Sequence, residues 1–347
     1  MPTAETSRPA SGQAATPDAT WLLRLYRAMA LARALDDRIW KLSRQGAVPF
    51  AVTGRGAEAG QAGLGAALRP GSDYVYPYYR DVALVLMLGM TAEHIMLAAY
   101  GRRADPSSSG RQMPNHFSHR QLRIVSGSSP VGTQIPQAAG TALACRLRGE
   151  DAAVLVTFGE GASSQGDFHE GLNFAAIHRL PVVFVCENNG WAISVPERLQ
   201  IAAPGIAARG AAYGIPGEVV DGSDPVASHA AASAALERAR GGGGPSLLEM
   251  RVLRLDPHTS SDDDTTYRPE PERSALAAAD PLPRFRRRLL ALGAPIEAAL
   301  AAVDAEIRAE VDSATAAAEG AAAPGADDLL RGVLAPPDAE GSLPWPS

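Results

Sequence analysis

Residues 159–190 read GEGASSQGDFHEGLNFAAIHRLPVVFVCENNG, beginning at Gly159 and ending at Gly190. The apolar run AAVLVTF at 152–158 leads into this stretch and has the composition of a buried strand. Gly159 and Gly161 then bracket a single carboxylate, Glu160, and Ala162-Ser163-Ser164 open a helical segment. A second apolar run, PVVFVC at 181–186, ends in Glu187-Asn188-Asn189. The order is strand, glycine-rich turn, helix, strand, with polar residues at both strand ends. An open parallel sheet binds ligands outside the carboxyl ends of its strands, so this stretch predicts an α/β fold with chemistry at one sheet edge.

Glycine lets backbone approach a ligand, and the free N–H groups of a helix start attract phosphate. Glu160 and the Asn188-Asn189 amides are hard oxygen donors, which Mg²⁺ prefers and commonly shares with phosphate oxygens. The spacing resembles the thiamine diphosphate signature, Gly-Asp-Gly followed a helix and a strand later by Asn-Asn, with Glu160 in place of Asp. A second reading stays open at this point. Gly159-x-Gly161-x-x-Ser164 after a strand, with Glu187 at the next strand end, also mimics a dinucleotide fingerprint. Against it, Glu160 would put negative charge beside the pyrophosphate, and the Asn pair would have no task.

The chain has 347 residues, enough for one large α/β domain or two small ones. A formal net charge of −6 gives no reason to expect nucleic-acid or anionic-membrane binding. The two cysteines, Cys145 and Cys186, form no metal-type pair, and a reducing, cytoplasmic setting is expected. The longest strongly apolar run, 82–90, is too short to span a bilayer. Residues 1–17 have no apolar core and read as a disordered tail rather than a signal or transit peptide.

In chain order, Asp18 or Thr20 is placed to cap a helix that starts near Trp21 and stops at Gln45-Gly46. Residues 56–68 read as a tightly packed helix. YVYPYYRD at 74–81 reads as an aromatic loop, either a surface turn with a stacked arginine or a pocket wall with Arg80 aimed at an anion. The polar, basic segment 101–121 holds Arg111, His116 and His119 and suits a lid or partner contact. A short strand at 123–125 and a Ser/Thr/Gln-dense turn at 126–137 precede a helix at 138–146. After the central stretch come a strand end and cap at Asp221-Gly222-Ser223-Asp224, a helix at 225–240 and a buried strand at 246–255. That strand delivers His258 and a run of Ser and Asp to another carboxyl end. Amphipathic helices follow from Pro281, and 336–347 read as a loose tail in which Trp345 is a candidate anchor. A single domain over 18–335 is the expected organisation.

Six stretches in order carry a family resemblance: YRD at 79–81, GRQMPNHF at 110–117, SSPVGTQIPQA at 128–138, the central stretch, IAARGAAYGI at 206–215 and HTSSDDDTTYR at 258–268. Together they resemble the alpha subunit of the decarboxylating component of 2-oxoacid dehydrogenase complexes, above all the branched-chain type, over about 21–293. This displaces the dinucleotide reading. The resemblance implies a doubly wound, mostly parallel thiamine diphosphate-binding fold with helical extensions at both ends. It also implies an oxidoreductase of branched-chain amino acid catabolism, which decarboxylates a 2-oxoacid and passes the acyl group to a lipoyl-bearing acyltransferase core.

Carried over by position, it implies Mg²⁺ held by Glu160, Asn189 and the Trp191 carbonyl. Thiamine diphosphate would touch Tyr79, Arg80, Ser129, Val131, Gly161, Ala162 and His258, with His258 the catalytic residue. A K⁺ site would use Ser128, the Pro130 carbonyl, Thr133 and Gln134. A separate beta subunit, in a heterotetramer of two alpha and two beta chains, would supply the glutamate that activates the aminopyrimidine. Two departures are visible. Glu187 stands where eukaryotic branched-chain members have Arg, removing one diphosphate contact and leaving pyruvate as the alternative substrate. Thr259 stands where the family carries a phosphorylated Ser. A non-catalytic regulatory subunit is the alternative of another class, and it should have lost Glu160 or the Asn pair.

Overall fold

The structure, a computed structural model, describes residues 18–330. The expectations for 1–17, 331–347 and Trp345 lie outside the described residues. Among the described residues there are seven strands: Tyr74–Tyr76 (β1), Val154–Gly159 (β2), Val182–Asn188 (β3), Trp191–Ala192 (β4), Val195–Pro196 (β5), Gly217–Asp221 (β6) and Ser246–Arg251 (β7). The short β4 and β5 form an antiparallel pair of their own. The other five make one sheet in the order β1-β2-β3-β7-β6, with every neighbouring pair parallel. The register sets Gly159 opposite Glu187 and Asn188 opposite Arg251, so the carboxyl ends of three central strands finish on one line.

The helices preceding the central strands are Ala19–Arg44 (α1), Glu58–Ala67 (α2), Val82–Leu88 (α3), Ala92–Ala99 (α4) and Gln134–Arg148 (α5). Gly166–Ile177 (α6) joins β2 to β3, and Pro225–Arg240 (α7) joins β6 to β7. Glu270–Ala279 (α8), Pro281–Leu290 (α9) and Ala294–Gly320 (α10) complete the set.

Alternation along the central strands sends side chains to two cores, as expected for a parallel sheet covered on both faces. Val154, Val156 and Phe158 of β2 and Val182, Phe184 and Cys186 of β3 pack with Ile135 and Ala138 of α5 and Phe168 and Leu172 of α6. Leu155, Val183, Val185, Leu248 and Met250 point the other way, toward α1, α2, α7 and α10. The sheet is therefore doubly wound, with helical N- and C-terminal parts on one face. The apolar stripe of α10 is used inside the chain: Ile307, Val311, Ala314 and Ala318 join the core with Leu31, Leu35 and Ile39 of α1.

Several boundaries differ from the sequence reading for identifiable reasons. The helix expected at 138–146 begins at Gln134, because Pro136 is tolerated in a first turn, where its missing N–H removes no helical bond. After β2 the chain makes a 3₁₀ turn, Glu160–Ser164, before α6 begins. Residues 123–125 give only two isolated bridges, from Ile124 to Val75 and to His119. Strand β7 stops at Arg251, since the N–H groups of Leu253 and Leu255 leave the sheet for the carbonyls of Gly56 and Arg55. Asp18 sits at the N-cap of α1 without a side-chain capping bond, and Thr20 lies within the helix. No helix among the described residues is long and apolar enough to cross a membrane.

Candidate active site

A cavity of about 220 Å³ opens at the carboxyl edge of the sheet. The segment after β1 contributes Pro77, Tyr78, Tyr79 and Arg80, and the turn after β2 contributes Glu160, Gly161 and Ala162. Asn189, Trp191 and Ile193 follow β3, and His258 arrives from beyond β7. Ser128, Ser129, Val131 and Gln134 line it from the turn before α5, with Asn115 and His116 beside them. Twelve of the fourteen residues singled out from the sequence therefore share one cavity. Pro130 and Thr133 do not line it; they sit just behind, the Thr133 hydroxyl donating to the Pro130 carbonyl at 3.2 Å. From the 101–121 segment Asn115 and His116 reach the cavity, while His119 packs against His94 elsewhere.

Glu160 is only 1% exposed, yet one of its carboxylate oxygens has no hydrogen-bond partner. The other, Oε2, accepts the Asn189 N–H at 3.2 Å. Burial pushes this carboxyl above its ordinary range, the mark of a group short of a positive partner. The two asparagines divide their work. Asn188 is buried and donates to Glu197 and Glu249 at 2.9 and 2.8 Å, tying β3 to β7. Asn189 faces the cavity, and its Oδ1 accepts the Trp191 N–H at 3.2 Å. An orphaned carboxylate oxygen, an amide oxygen and nearby carbonyls form the all-oxygen donor set that suits Mg²⁺. Among the described residues no group of three or more His, Cys, Asp or Glu competes for a softer metal. Gly161 is needed for closeness, since a Cβ there would lie 2.8 Å from Ala192 Cβ.

Opposite Glu160 lies a buried arginine. Arg80 is 4% exposed and donates to the Tyr78 hydroxyl at 3.1 Å, to the Thr53 carbonyl at 2.7 Å and to both Nδ1 and the carbonyl of His258 at 3.0 Å. It also stacks over Tyr79, 5.1 Å from the ring centre. The two readings of 74–81 thus merge: the arginine is stacked, and it is also in the pocket wall. Because guanidinium only donates, His258 Nδ1 must accept, which leaves the proton of the neutral ring on Nε2. Burial, then Arg80 and Arg254, hold His258 down at about 4, so it is a neutral hydrogen-bond donor near pH 7. Its loop is fixed by Asp262, which accepts the His258 N–H at 2.7 Å and the Tyr267 hydroxyl.

This gives a pH prediction. An unfolded imidazole titrates near 6.5. Between there and about 4 the unfolded chain binds a proton that native His258 refuses, so this group's contribution to stability is lost as pH falls through that window. His258→Gln is expected to flatten the acid limb of the melting temperature measured against pH. An identical limb in the variant contradicts the assignment.

Gln134 leaves its Oε1 buried and unpartnered behind the 128–134 turn, a second orphan acceptor in the place where the resemblance implies K⁺. Glu187 requires a correction. It lies on the opposite face of β3, buried against Asp81 and accepting from Gln61 Nε2 at 3.0 Å, so it does not line the cavity. Burial raises both the Asp81 and Glu187 carboxyls. Three residues missed from the sequence support the site: Tyr78, Thr53 and Arg254. Arg254 is 2% exposed and ties the Ile193 carbonyl to the Tyr267 hydroxyl at 3.0 and 3.1 Å. Thr53 and Arg254 act through contacts distant in sequence, which no spacing rule marks, whereas Tyr78 lies two residues from the arginine it holds.

The fold and cavity place the chain among α/β proteins that carry their ligand site at the carboxyl edge of a parallel sheet. Within that class it belongs to the dehydrogenase E1 component family, whose model matches residues 26–327. It is 49% identical over 297 residues to the 2-oxoisovalerate dehydrogenase subunit alpha of Bacillus subtilis, covering 86% of this chain and 90% of that protein. It is 40% identical over 267 residues to the 3-methyl-2-oxobutanoate dehydrogenase subunit alpha of Mycobacterium tuberculosis, covering 76% and 68%. Against the mitochondrial 2-oxoisovalerate dehydrogenase subunit alpha of Homo sapiens the identity is 39% over 273 residues, covering 78% of this chain and 61% of the human one.

Proposed function

We propose that this chain is the alpha subunit of a branched-chain 2-oxoacid dehydrogenase. It would decarboxylate 3-methyl-2-oxobutanoate oxidatively and pass the acyl group to the lipoyl group of a partner acyltransferase. The observation that carries this reading is the unpartnered Glu160 oxygen beside Asn189, facing Arg80 and His258 across one cavity. Thiamine diphosphate, when bound, supplies the carbanion chemistry of decarboxylation. Glu160, Asn189 and the Trp191 carbonyl would hold its Mg²⁺, and Tyr79, Arg80, Ser129, Val131, Gly161 and Ala162 its diphosphate half. Gln134, Thr133, Ser128 and the Pro130 carbonyl would hold K⁺ behind the 128–134 turn. His258, kept neutral, offers an Nε2 proton to developing negative charge without carrying a charge of its own. The working enzyme would be a heterotetramer of two alpha and two beta chains.

Glu187 was the residue that argued for pyruvate, but a side chain facing away from the cavity does not sort substrates there. Each methylene in an apolar pocket is worth about 10–200-fold in selectivity. The assembled enzyme is therefore expected to favour 3-methyl-2-oxobutanoate over pyruvate by at least about tenfold in kcat/KM. A preference for pyruvate on the same preparation would overturn the substrate assignment.

A further inference from the structure

The 101–121 segment reaches the cavity through His116, a residue the mechanism above leaves without a task. Its ring is held at both nitrogens. Nδ1 lies 3.0 Å from the Met113 carbonyl and 3.4 Å from that of Pro114, while Nε2 lies 2.8 Å from Ser129 Oγ. Carbonyl oxygens only accept, so Nδ1 carries the hydrogen. A neutral ring then has a bare lone pair on Nε2, and the Ser129 hydroxyl must spend its single proton on it. Asn115, buried and bonded to the Val52 carbonyl at 3.1 Å, anchors the backbone just before the ring. Gly127 packs against it from the other side, where a Cβ would come within 3.3 Å of His116 Cα.

An anion alters this arrangement. Phosphate oxygens accept hydrogen bonds, so Ser129 serves a phosphate only by turning its proton toward it. The Nε2 lone pair would then face the Oγ lone pairs across 2.8 Å, which is repulsive unless Nε2 gains a proton. We propose that His116 is a positioning residue that takes up one proton from solvent as a diphosphate enters beside Ser129. The Ser O–H···N bond is replaced by an N–H···O bond, and the freed hydroxyl donates to the phosphate. The net result is one proton bound and one positive charge placed behind the anion. This rests on the reading of the cavity as a diphosphate site.

Other titrating and charged groups face the same cavity: Tyr78, Tyr79, Arg80, Glu160 and His258. On the segment itself, Asp105 accepts the N–H groups of Ser107, Ser108 and Gly110, and Arg111 donates to the carbonyls of Ser108, Asp328 and Leu329. His258 is neutral with its Nδ1 lone pair held by Arg80, while Glu160, whose carboxyl burial raises, changes its own proton count when a cation arrives. The total uptake therefore does not identify its source, whereas a difference between variants does.

The experiment is calorimetric titration of the assembled alpha/beta enzyme with thiamine diphosphate and Mg²⁺, near pH 7, in two buffers of different ionisation enthalpy. The number of protons taken up is compared for the wild type, His116→Gln, which keeps a donor at the Nε2 position but does not titrate, and Ser129→Ala. Uptake is expected to fall in both variants, by up to about one proton. A role that is only structural would weaken binding and leave uptake unchanged, and equal uptake in all three proteins overturns the proposal. Ser129→Ala keeps the test decisive if His116→Gln fails to fold. Absence of any binding by the wild type would overturn the diphosphate reading and this inference with it.

Discussion

Glu160→Ala is expected to lose magnesium-dependent thiamine diphosphate binding, by more than about 100-fold in affinity, while the apo protein keeps or slightly gains stability. The two halves of this expectation share one cause. Removing groups that merely support a metal ligand already costs 10–100-fold, so removing the ligand itself should cost more. The same carboxylate is buried with one oxygen unpartnered, and burial raises its pKa in the folded state. For a raised carboxyl, the native state binds the proton more tightly than the unfolded one. Its contribution to stability is therefore present in acid and lost as pH rises past the unfolded value. At pH 7 the apo protein bears that penalty, and the variant does not. A residue kept for packing would show the reverse, lower stability and intact binding. Calorimetry and thermal melting on one preparation separate the two.

The second large effect concerns the lone chain. Purified without a partner, it is expected to show only background decarboxylation with an artificial electron acceptor, and to gain turnover when the beta chain is added. The described residues hold one five-stranded sheet, and on the proposed reading they supply only the diphosphate side of the site. Val131 and Ile193, which line the cavity, are 51% and 55% exposed, apolar surface of the kind that marks a protein contact. Substantial turnover by the lone chain would mean that the second half of the active site has been misplaced.

The central β-α-β unit was readable because β2 and β3 are uniform apolar runs that end in polar residues, and a parallel sheet requires that composition. Helix α8 was not readable. None of its residues is buried, and EPERSALAAA holds Leu276 as its one large apolar side chain, too little to mark a stripe. Helix α3 failed for the opposite reason: VALVLML is apolar throughout, and periodicity cannot assign it. At the site, Glu160, Asn189 and His258 were legible as strand-end residues of the right chemistry. The contact of Arg80 with His258 spans 178 positions, and no local spacing encodes it. The place of Glu187 was not legible, because alternation puts it opposite Cys186 and Asn188 but on the same side as Asn189, and only the end of β3 at Asn188 lets Asn189 turn to the cavity while Glu187 meets Gln61. His116 was noted only as one histidine among several, because its meaning depends on a hydroxyl thirteen residues away.

The central claim is that Glu160 and Asn189 close on one metal that a diphosphate shares. Crystals of the alpha/beta complex grown with thiamine diphosphate and Mn²⁺ in place of Mg²⁺ test it directly through the anomalous signal of manganese. One peak per alpha chain is expected in this cavity, about 2.1 Å from oxygens of both Glu160 and Asn189. A manganese peak elsewhere, or thiamine diphosphate bound in the cavity with no metal between those two residues, would contradict the account.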